Sequence, residues 1–98
     1  MVGRCRELEQ RQLQARHREA GARVREIGAR LALAKVTRER RARLKEQDSI
    51  SSQRLDESVH EERALASQLE AARASLEGIA VDLELSNLTA PYAGTVAA

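Results

Sequence analysis

The sequence predicts an all-α protein: two long helices paired as an antiparallel coiled-coil hairpin, followed by a short extended segment at the C-terminus. Three observations favour this fold. The 98 residues include one Tyr and no Trp or Phe, so large side chains cannot build an ordinary globular core. One third of the residues are charged, and Ala, Leu, Val and Ile supply most of the hydrophobic ones, as in long helices. The single proline is Pro91, so none interrupts residues 1–90.

Helix one is predicted over about residues 7–47 from the spacing of its apolar residues. They recur in alternating steps of three and four, with one gap at His17, as in the a/d seam of a coiled coil: Leu13, Ala20, Val24, Ile27, Leu31 and Ala34. The residues between them are mostly strong helix formers. Gly21 and Gly28 weaken the helix locally, because glycine costs roughly 0.5–1 kcal/mol relative to alanine in a helix.

Helix two is predicted over about residues 52–86 by the same spacing. Its seam residues are Leu55, Val59, Leu65, Leu69, Ala72, Leu76, Ile79 and Leu83. Residues 48–51 form the connection at the tip of the hairpin, and a connection this short makes the two helices antiparallel. Ser51 is placed at the N-cap of helix two, where its hydroxyl accepts an amide hydrogen of the first turn. Ile50 and Leu55 form a hydrophobic staple across this cap.

The antiparallel pairing predicts which residues lie at the same height along the hairpin. Their numbers should add up to a constant near 99, about twice the position of the turn. By this height rule Leu44 faces Leu55 and Leu31 faces Leu69, so apolar positions meet apolar positions along most of the hairpin domain, residues 1–87. Each predicted helix is on the order of 50–60 Å long, and helices of this length need a partner.

The two halves of the chain carry opposite charge. Residues 1–47 contain fourteen Arg or Lys against six Asp or Glu, a net +8, and residues 48–98 contain three against nine, a net −6. We favour pairing between the two helices as the reason, with nucleic acid or anionic lipid as the alternative partner of helix one. Cys5 is the single cysteine, and the chain shows neither an apolar leader nor a run of eighteen apolar residues.

No catalytic, cofactor-binding or metal-binding constellation is found, so we do not expect an enzyme. His17 and His60 lie at different heights on different helices, and both are expected to face solvent. The carboxylates of Glu61-Glu62 and Asp56-Glu57 are adjacent in sequence rather than one helical turn apart, so they are not placed as a facing acid/base pair. They are expected to form a solvated face.

The sequence changes character after Asn87, where helix two is predicted to end. Residues 88–98 are predicted to be extended, because a proline pushes the residue before it out of helical geometry. A helical hairpin that runs into Ala90-Pro91-Tyr92-Ala93-Gly94-Thr95-Val96 resembles the periplasmic adaptor proteins, also called membrane fusion proteins, of bacterial efflux pumps and type I secretion systems. There the segment has the form T-x-x-A-P-F-D-G-x-V and begins the second half of a lipoyl-like β domain. The matching residues are Ala90, Pro91, Gly94 and Val96, with Tyr92 in place of the Phe.

A second point of resemblance lies at the predicted tip. Many adaptors carry the pattern RxxxLxxxxxxS there and use it to dock against a TolC-like outer-membrane channel. Arg40, Leu44 and Ser51 reproduce that spacing, and Asp56 also fits the family's tip. A docking role for Arg40 and a purely solvated role are weighed equally. The neighbouring arginines are expected to form a solvated surface that pairs with helix two: Arg38, Arg41 and Arg43.

The resemblance implies a subunit without cofactor that bridges an inner-membrane transporter and an outer-membrane channel in the periplasm of a Gram-negative bacterium. It further implies copies placed side by side, a hexamer in the full-length parent, and no nucleic acid as partner. The family's first lipoyl half, β-barrel, membrane-proximal domain and membrane anchor are not among these 98 residues, so a fragment is expected. The alternative is a stand-alone coiled coil whose basic helix binds nucleic acid or another acidic partner.

Overall fold

The fold is an antiparallel hairpin of two long α-helices. The computed structural model describes the backbone of residues 2–97 and the side chains of residues 5–87. Helix α1 is Val2–Glu46 and helix α2 is Ser52–Ala97, joined by residues 47–51. The molecule measures 75 × 17 × 14 Å, so it is a rod only one pair of helices thick. The predicted all-α hairpin is confirmed, and no strand occurs within residues 2–97.

One seam holds the two helices together. Every apolar seam position predicted from the sequence is buried or half-buried. The seam is most tightly packed in its middle, where Ile27, Leu69 and Ala72 are buried together with Val24 and Leu31 beside them. Because two helices cover only one stripe of each other's surface, the core is a narrow row of side chains along the rod.

The helices are aligned as the height rule predicts. Near the base, the Gln10 side-chain amide donates a hydrogen bond to Asn87 Oδ1 at 3.0 Å. Near the tip, Arg41 Nη1 donates to Ser58 Oγ at 2.8 Å. In both pairs the residue numbers add up to within about two of the constant near 99, so one alignment is kept along the rod.

The predicted helix boundaries are wrong at both ends of the chain. Helix α1 begins at Val2 rather than near residue 7, and the backbone helix of α2 continues to Ala97, although an extended segment is predicted from residue 88. A strand needs a neighbouring strand to satisfy its backbone groups, whereas a helix satisfies its own. The junction residues of the predicted β domain have side chains outside the described residues, so their assignment stays a prediction: Ala90, Pro91, Tyr92, Gly94 and Val96.

Polar side chains occupy seam positions that were expected to face solvent. His17 is half-buried, because the steps of three and four place it on the seam between Leu13 and Ala20. Glu62 is half-buried for the same reason, so the solvated face expected for the acidic pairs does not include it. His60 is exposed, as predicted.

Candidate functional site

The tip of the hairpin contains the three residues predicted to dock on a channel. We use "the tip" for residues 40–58, which comprise the last two turns of α1, the connection 47–51 and the first two turns of α2. Its shape depends on how α1 ends, how α2 begins and which side chains cross between them.

Helix α1 ends in a Schellman motif. The amide of Ser49 donates to the carbonyl of Leu44 at 2.8 Å, and the amide of Asp48 donates to the carbonyl of Lys45 at 3.0 Å. Asp48 adopts the left-handed conformation that this motif requires, with φ of 55°. Glycine adopts that conformation most easily, and aspartate is among the few other residues that tolerate it. The chain therefore leaves α1 by a fixed turn.

Helix α2 begins with the serine cap predicted from the sequence. The Ser51 hydroxyl oxygen accepts a hydrogen bond from the backbone amide of Arg54 at 3.2 Å, which satisfies one of the unpaired amides of the first turn. Ile50 and Leu55 on either side of the cap are both half-buried, as the predicted staple requires. Because both helix ends are capped, residues 47–51 have a defined shape.

A side chain from α1 fastens the first turns of α2. Arg41 Nη1 donates to Ser58 Oγ at 2.8 Å and to the backbone carbonyl of Arg54 at 3.1 Å. The Ser58 hydroxyl in turn donates to the same carbonyl at 3.2 Å. Ser58 is only 4% exposed, so these bonds replace the water that its hydroxyl loses on burial. We call Arg41, Arg54 and Ser58 the Arg41 clamp.

An ion pair lies about one turn further from the tip. Arg38 Nε donates to Glu62 Oε2, with the Arg38 side chain 34% and the Glu62 side chain 19% exposed. Among the described residues this is the one ion pair that joins the two helices, since the others, Arg30–Glu26 and Arg38–Glu39, lie within α1. Among the described residues, the opposite charges of the two halves therefore meet in one ion pair between the helices, Arg38–Glu62.

The three predicted docking residues lie in different environments within the tip. Arg40 is exposed, and its guanidinium joins no hydrogen bond or ion pair within the described residues. Leu44 is half-buried, and its carbonyl belongs to the Schellman motif. Ser51 is exposed and serves as the N-cap. No described hydrogen bond connects the three, so the tip brings them to one end of the rod without joining them directly.

The seam positions of the polar side chains in the clamp and the ion pair were not predicted, although the sequence contains a signal for them. Continuing the steps of three and four beyond Ala34 leads to Arg38 and Arg41, and the same steps from Leu55 lead to Ser58 and Glu62. The expectation that Arg41 belongs to a solvated surface is wrong, because it is half-buried and bonded to α2. The expectation that Arg38 pairs with helix two is confirmed, although it is also half-buried, and Arg43 is exposed.

Beyond the tip, the described residues offer few features that indicate a ligand. They include no group of three or more His, Cys, Asp or Glu side chains that could hold a metal ion. Cys5 is exposed and takes part in no disulfide among the described residues. Within the same part of the chain, neither helix has a segment of the length and apolarity needed to cross a membrane. Comparisons of the chain with protein-family models, curated proteins and solved structures found no match.

Proposed function

We propose that this chain is the helical hairpin of a periplasmic adaptor protein and that its tip docks on a TolC-like outer-membrane channel. In the full-length protein, such a hairpin would link an inner-membrane transporter to the channel for efflux or secretion, with copies side by side. One observation carries the proposal: a capped turn ends a 75 Å rod, and the exposed Arg40 lies at the same end of the rod as Leu44 and Ser51.

The tip suits docking because its shape is fixed before a partner arrives. The Schellman motif at Leu44 and the cap at Ser51 order residues 47–51, so little conformational entropy remains to be lost on binding. The clamp and the ion pair engage Arg41 and Arg38 inside the hairpin, whereas the guanidinium of Arg40 is exposed. Its planar set of donors fits carboxylates or the free carbonyls at the ends of helices in a channel.

The substitution Arg40→Asp tests this proposal. The purified chain is measured against a purified TolC-like channel in detergent by biolayer interferometry, with Arg43→Asp as matched control. Both arginines are exposed and stand on the same helix near the tip, so neither change should alter the helical content seen by circular dichroism. We expect Arg40→Asp to weaken binding about tenfold or more and Arg43→Asp to weaken it less than about threefold. Equal effects of the two substitutions, or no binding by the unaltered chain, would contradict tip docking.

The charge of α1 favours a second candidate function, a coiled coil that binds nucleic acid or another acidic partner. Of the basic side chains that α1 contributes to the described residues, only Arg38 forms an ion pair with α2. Apart from Arg30, which pairs with Glu26 within α1, and Arg41, which is bonded to α2, the others remain available to phosphates or carboxylates outside the hairpin. Binding to a short DNA or RNA duplex that weakens about tenfold between roughly 50 and 200 mM salt would support this function. Absence of binding at physiological salt would exclude nucleic acid as the partner.

A further inference from the structure

The two faces of the hairpin differ in the residues that flank the seam. On one face, the flanking positions of α1 include three small residues that are half-buried: Gly21, Gly28 and Ala42. The Arg25 guanidinium lies on this face, 3.6 Å from the position that a Cβ at Gly21 would take. Along the other face run four open cavities of about 260, 270, 410 and 510 Å³. We call this open face the groove.

The floor of the groove repeats every seven residues. Its α1 side consists of Leu13, Ala20, Ile27 and Ala34, and its α2 side includes Leu65 and Ala72. Near its two ends the groove is also lined by large apolar side chains that are well exposed, Leu33 at 67% and Leu85 at 57%. A straight apolar channel with this repeat fits a third helix, because the a and d residues of a coiled-coil helix recur with the same spacing.

The α1 rim of the groove carries arginines at the same seven-residue spacing, at Arg16, Arg23 and Arg30. By the height rule, Arg23 faces Ser75 and Arg30 faces Gln68, so no carboxylate of α2 lies opposite them. Arg23 is exposed and joins no hydrogen bond or ion pair within the described residues. Arg30 is bound by Glu26 of its own helix at 2.8 Å. The hairpin therefore leaves the charge of this rim unmatched across the groove.

The acidic residues near the groove limit where a negative partner fits. The α2 rim is negative at its two ends, at Glu61 and Asp82, and uncharged at the two rim positions between them. On α1, Glu19 and Glu26 stand on the outer side of the arginine row. The positive charge beside the floor is therefore concentrated in the middle of the rod, around Arg23. Carboxylates placed there would gain charge-assisted hydrogen bonds without meeting a carboxylate of α2.

We propose that the groove binds an amphipathic helix of a different protein, with carboxylates every seven residues on the side that faces α1. The apolar stripe of this helix covers the floor, and its carboxylates accept hydrogen bonds from Arg23 and the arginines in the same row. Because both seams of this chain are used inside the hairpin, the partner helix comes from another protein. The groove includes neither Arg40 nor Ser51, so this proposal goes beyond tip docking and does not depend on it.

A designed acidic peptide tests the groove. It has about 21 residues, with Leu at the a and d positions and Glu at the e and g positions, and a second peptide has Lys in place of Glu. Binding of each labelled peptide to the purified full chain is measured by fluorescence anisotropy at about 50 mM salt, where ion pairs are weakly screened. The variant Arg23→Glu/Arg30→Glu reverses the charge of the groove rim.

The matched control for that variant is Arg18→Glu/Arg25→Glu. It changes the net charge by the same amount, at the same spacing, on the same helix, but on the side of α1 turned away from the groove. All four arginines are exposed, so circular dichroism should show the same helical content for both variants and for the unaltered chain. Both variants retain Arg40, so their binding to the channel reports on the tip separately.

We expect the acidic peptide to bind the unaltered chain. Arg23→Glu/Arg30→Glu should weaken this binding about tenfold or more, and Arg18→Glu/Arg25→Glu should weaken it less than about threefold. The Lys peptide should bind the Arg23→Glu/Arg30→Glu variant about tenfold more tightly than it binds the unaltered chain, because the charges on both sides are then exchanged.

Three results would overturn the proposal. Equal weakening by the two variants would show that the peptide responds to the overall charge of α1. No binding of the acidic peptide to the unaltered chain up to about 1 mM would show that the groove accepts no such helix. Self-association of the unaltered chain in sedimentation velocity that Arg23→Glu/Arg30→Glu abolishes and the control variant does not would assign the groove to a second copy instead.

Discussion

The middle of the seam and its tip-proximal end are built differently, although they belong to the same coiled-coil stripe. In the middle, Ile27, Leu69 and Ala72 exclude water and make no polar bond to the other helix. Toward the tip, Arg41 and Ser58 occupy the same kind of position and meet through a hydrogen bond. An apolar a/d stripe matches itself again after a shift of seven residues, whereas a polar pair matches in one alignment. The middle therefore supplies stability, and the end near the tip supplies alignment and shape.

Truncation in the middle of the seam should have the largest effect on stability. Leu69→Ala removes buried methyl groups from the tightest part of the core and should lower the free energy of unfolding by about 2–5 kcal/mol. Urea denaturation followed by circular dichroism measures this change. Leu33→Ala, at an exposed position, is the control and should lower the free energy of unfolding by less than about 0.5 kcal/mol at a concentration where the chain is a single copy. Similar losses for both would mean that the seam is not the core.

Unlike the apolar middle of the seam, the Arg38–Glu62 pair should be replaceable as a pair without loss of stability. Arg38→Leu leaves the mostly covered carboxylate of Glu62 unpaired and should cost about 1–2 kcal/mol of unfolding free energy. Adding Glu62→Leu should restore the stability to that of the unaltered chain or above it, because two packed leucines replace a partly buried ion pair without loss. A double-mutant cycle in urea measures the coupling. Strictly additive losses would show that the pair is not coupled.

The cap of α2 should contribute an intermediate amount. Ser51→Ala removes the acceptor of the Arg54 amide and should lower the free energy of unfolding by about 1 kcal/mol. Ser52→Ala is the matched control, because Ser52 is the neighbouring exposed serine and the first residue of the helix. Thermal denaturation should show a lower melting temperature for Ser51→Ala only. An equal decrease for both serines would assign the effect to the loss of any hydroxyl.

Substitution of Asp48, the residue of the turn with left-handed backbone conformation, should give the smallest effect on stability, and with glycine the effect should be a gain. The backbone of Asp48 has a φ of 55°, and glycine adopts this conformation most easily. Asp48→Gly should therefore raise the free energy of unfolding by about 0.5–1 kcal/mol. Asp48→Ala, which keeps a Cβ but loses the polar group, should lower it. Thermal denaturation of the two variants measures the difference. A loss of stability with glycine would mean that the aspartate side chain, rather than the backbone, holds the turn.

The sequence was sufficient to predict those parts of the fold that depend on spacing and on local hydrogen bonding. The steps of three and four predict both helices, the short connection predicts their direction, and the height rule predicts the contact between Gln10 and Asn87 to within about two residues. Ser51 was predictable as a cap because the interaction is local, between a serine and an amide three residues on.

Other features depend on context that spacing alone does not contain. Arg41 was assigned to the surface because it is charged, yet its position on the seam brings it against Ser58. Asp48 does not reveal its left-handed conformation, since aspartate is common in many kinds of turn. The residues from 88 onward were predicted to be extended, but a strand there requires neighbouring strands that residues 2–97 do not form, so the helix of α2 continues.

The central claim, that the tip has one fixed shape held by its caps, is tested most directly by amide hydrogen exchange measured by NMR. Gln53 and Arg54 are neighbours in the first turn of α2, where backbone amides have no partner within the helix, but only the Arg54 amide is bound by Ser51. We predict that the Arg54 amide exchanges at least about tenfold more slowly than that of Gln53 and that Ser51→Ala removes this difference. Equal and fast exchange of both amides in the unaltered chain would contradict a preformed tip.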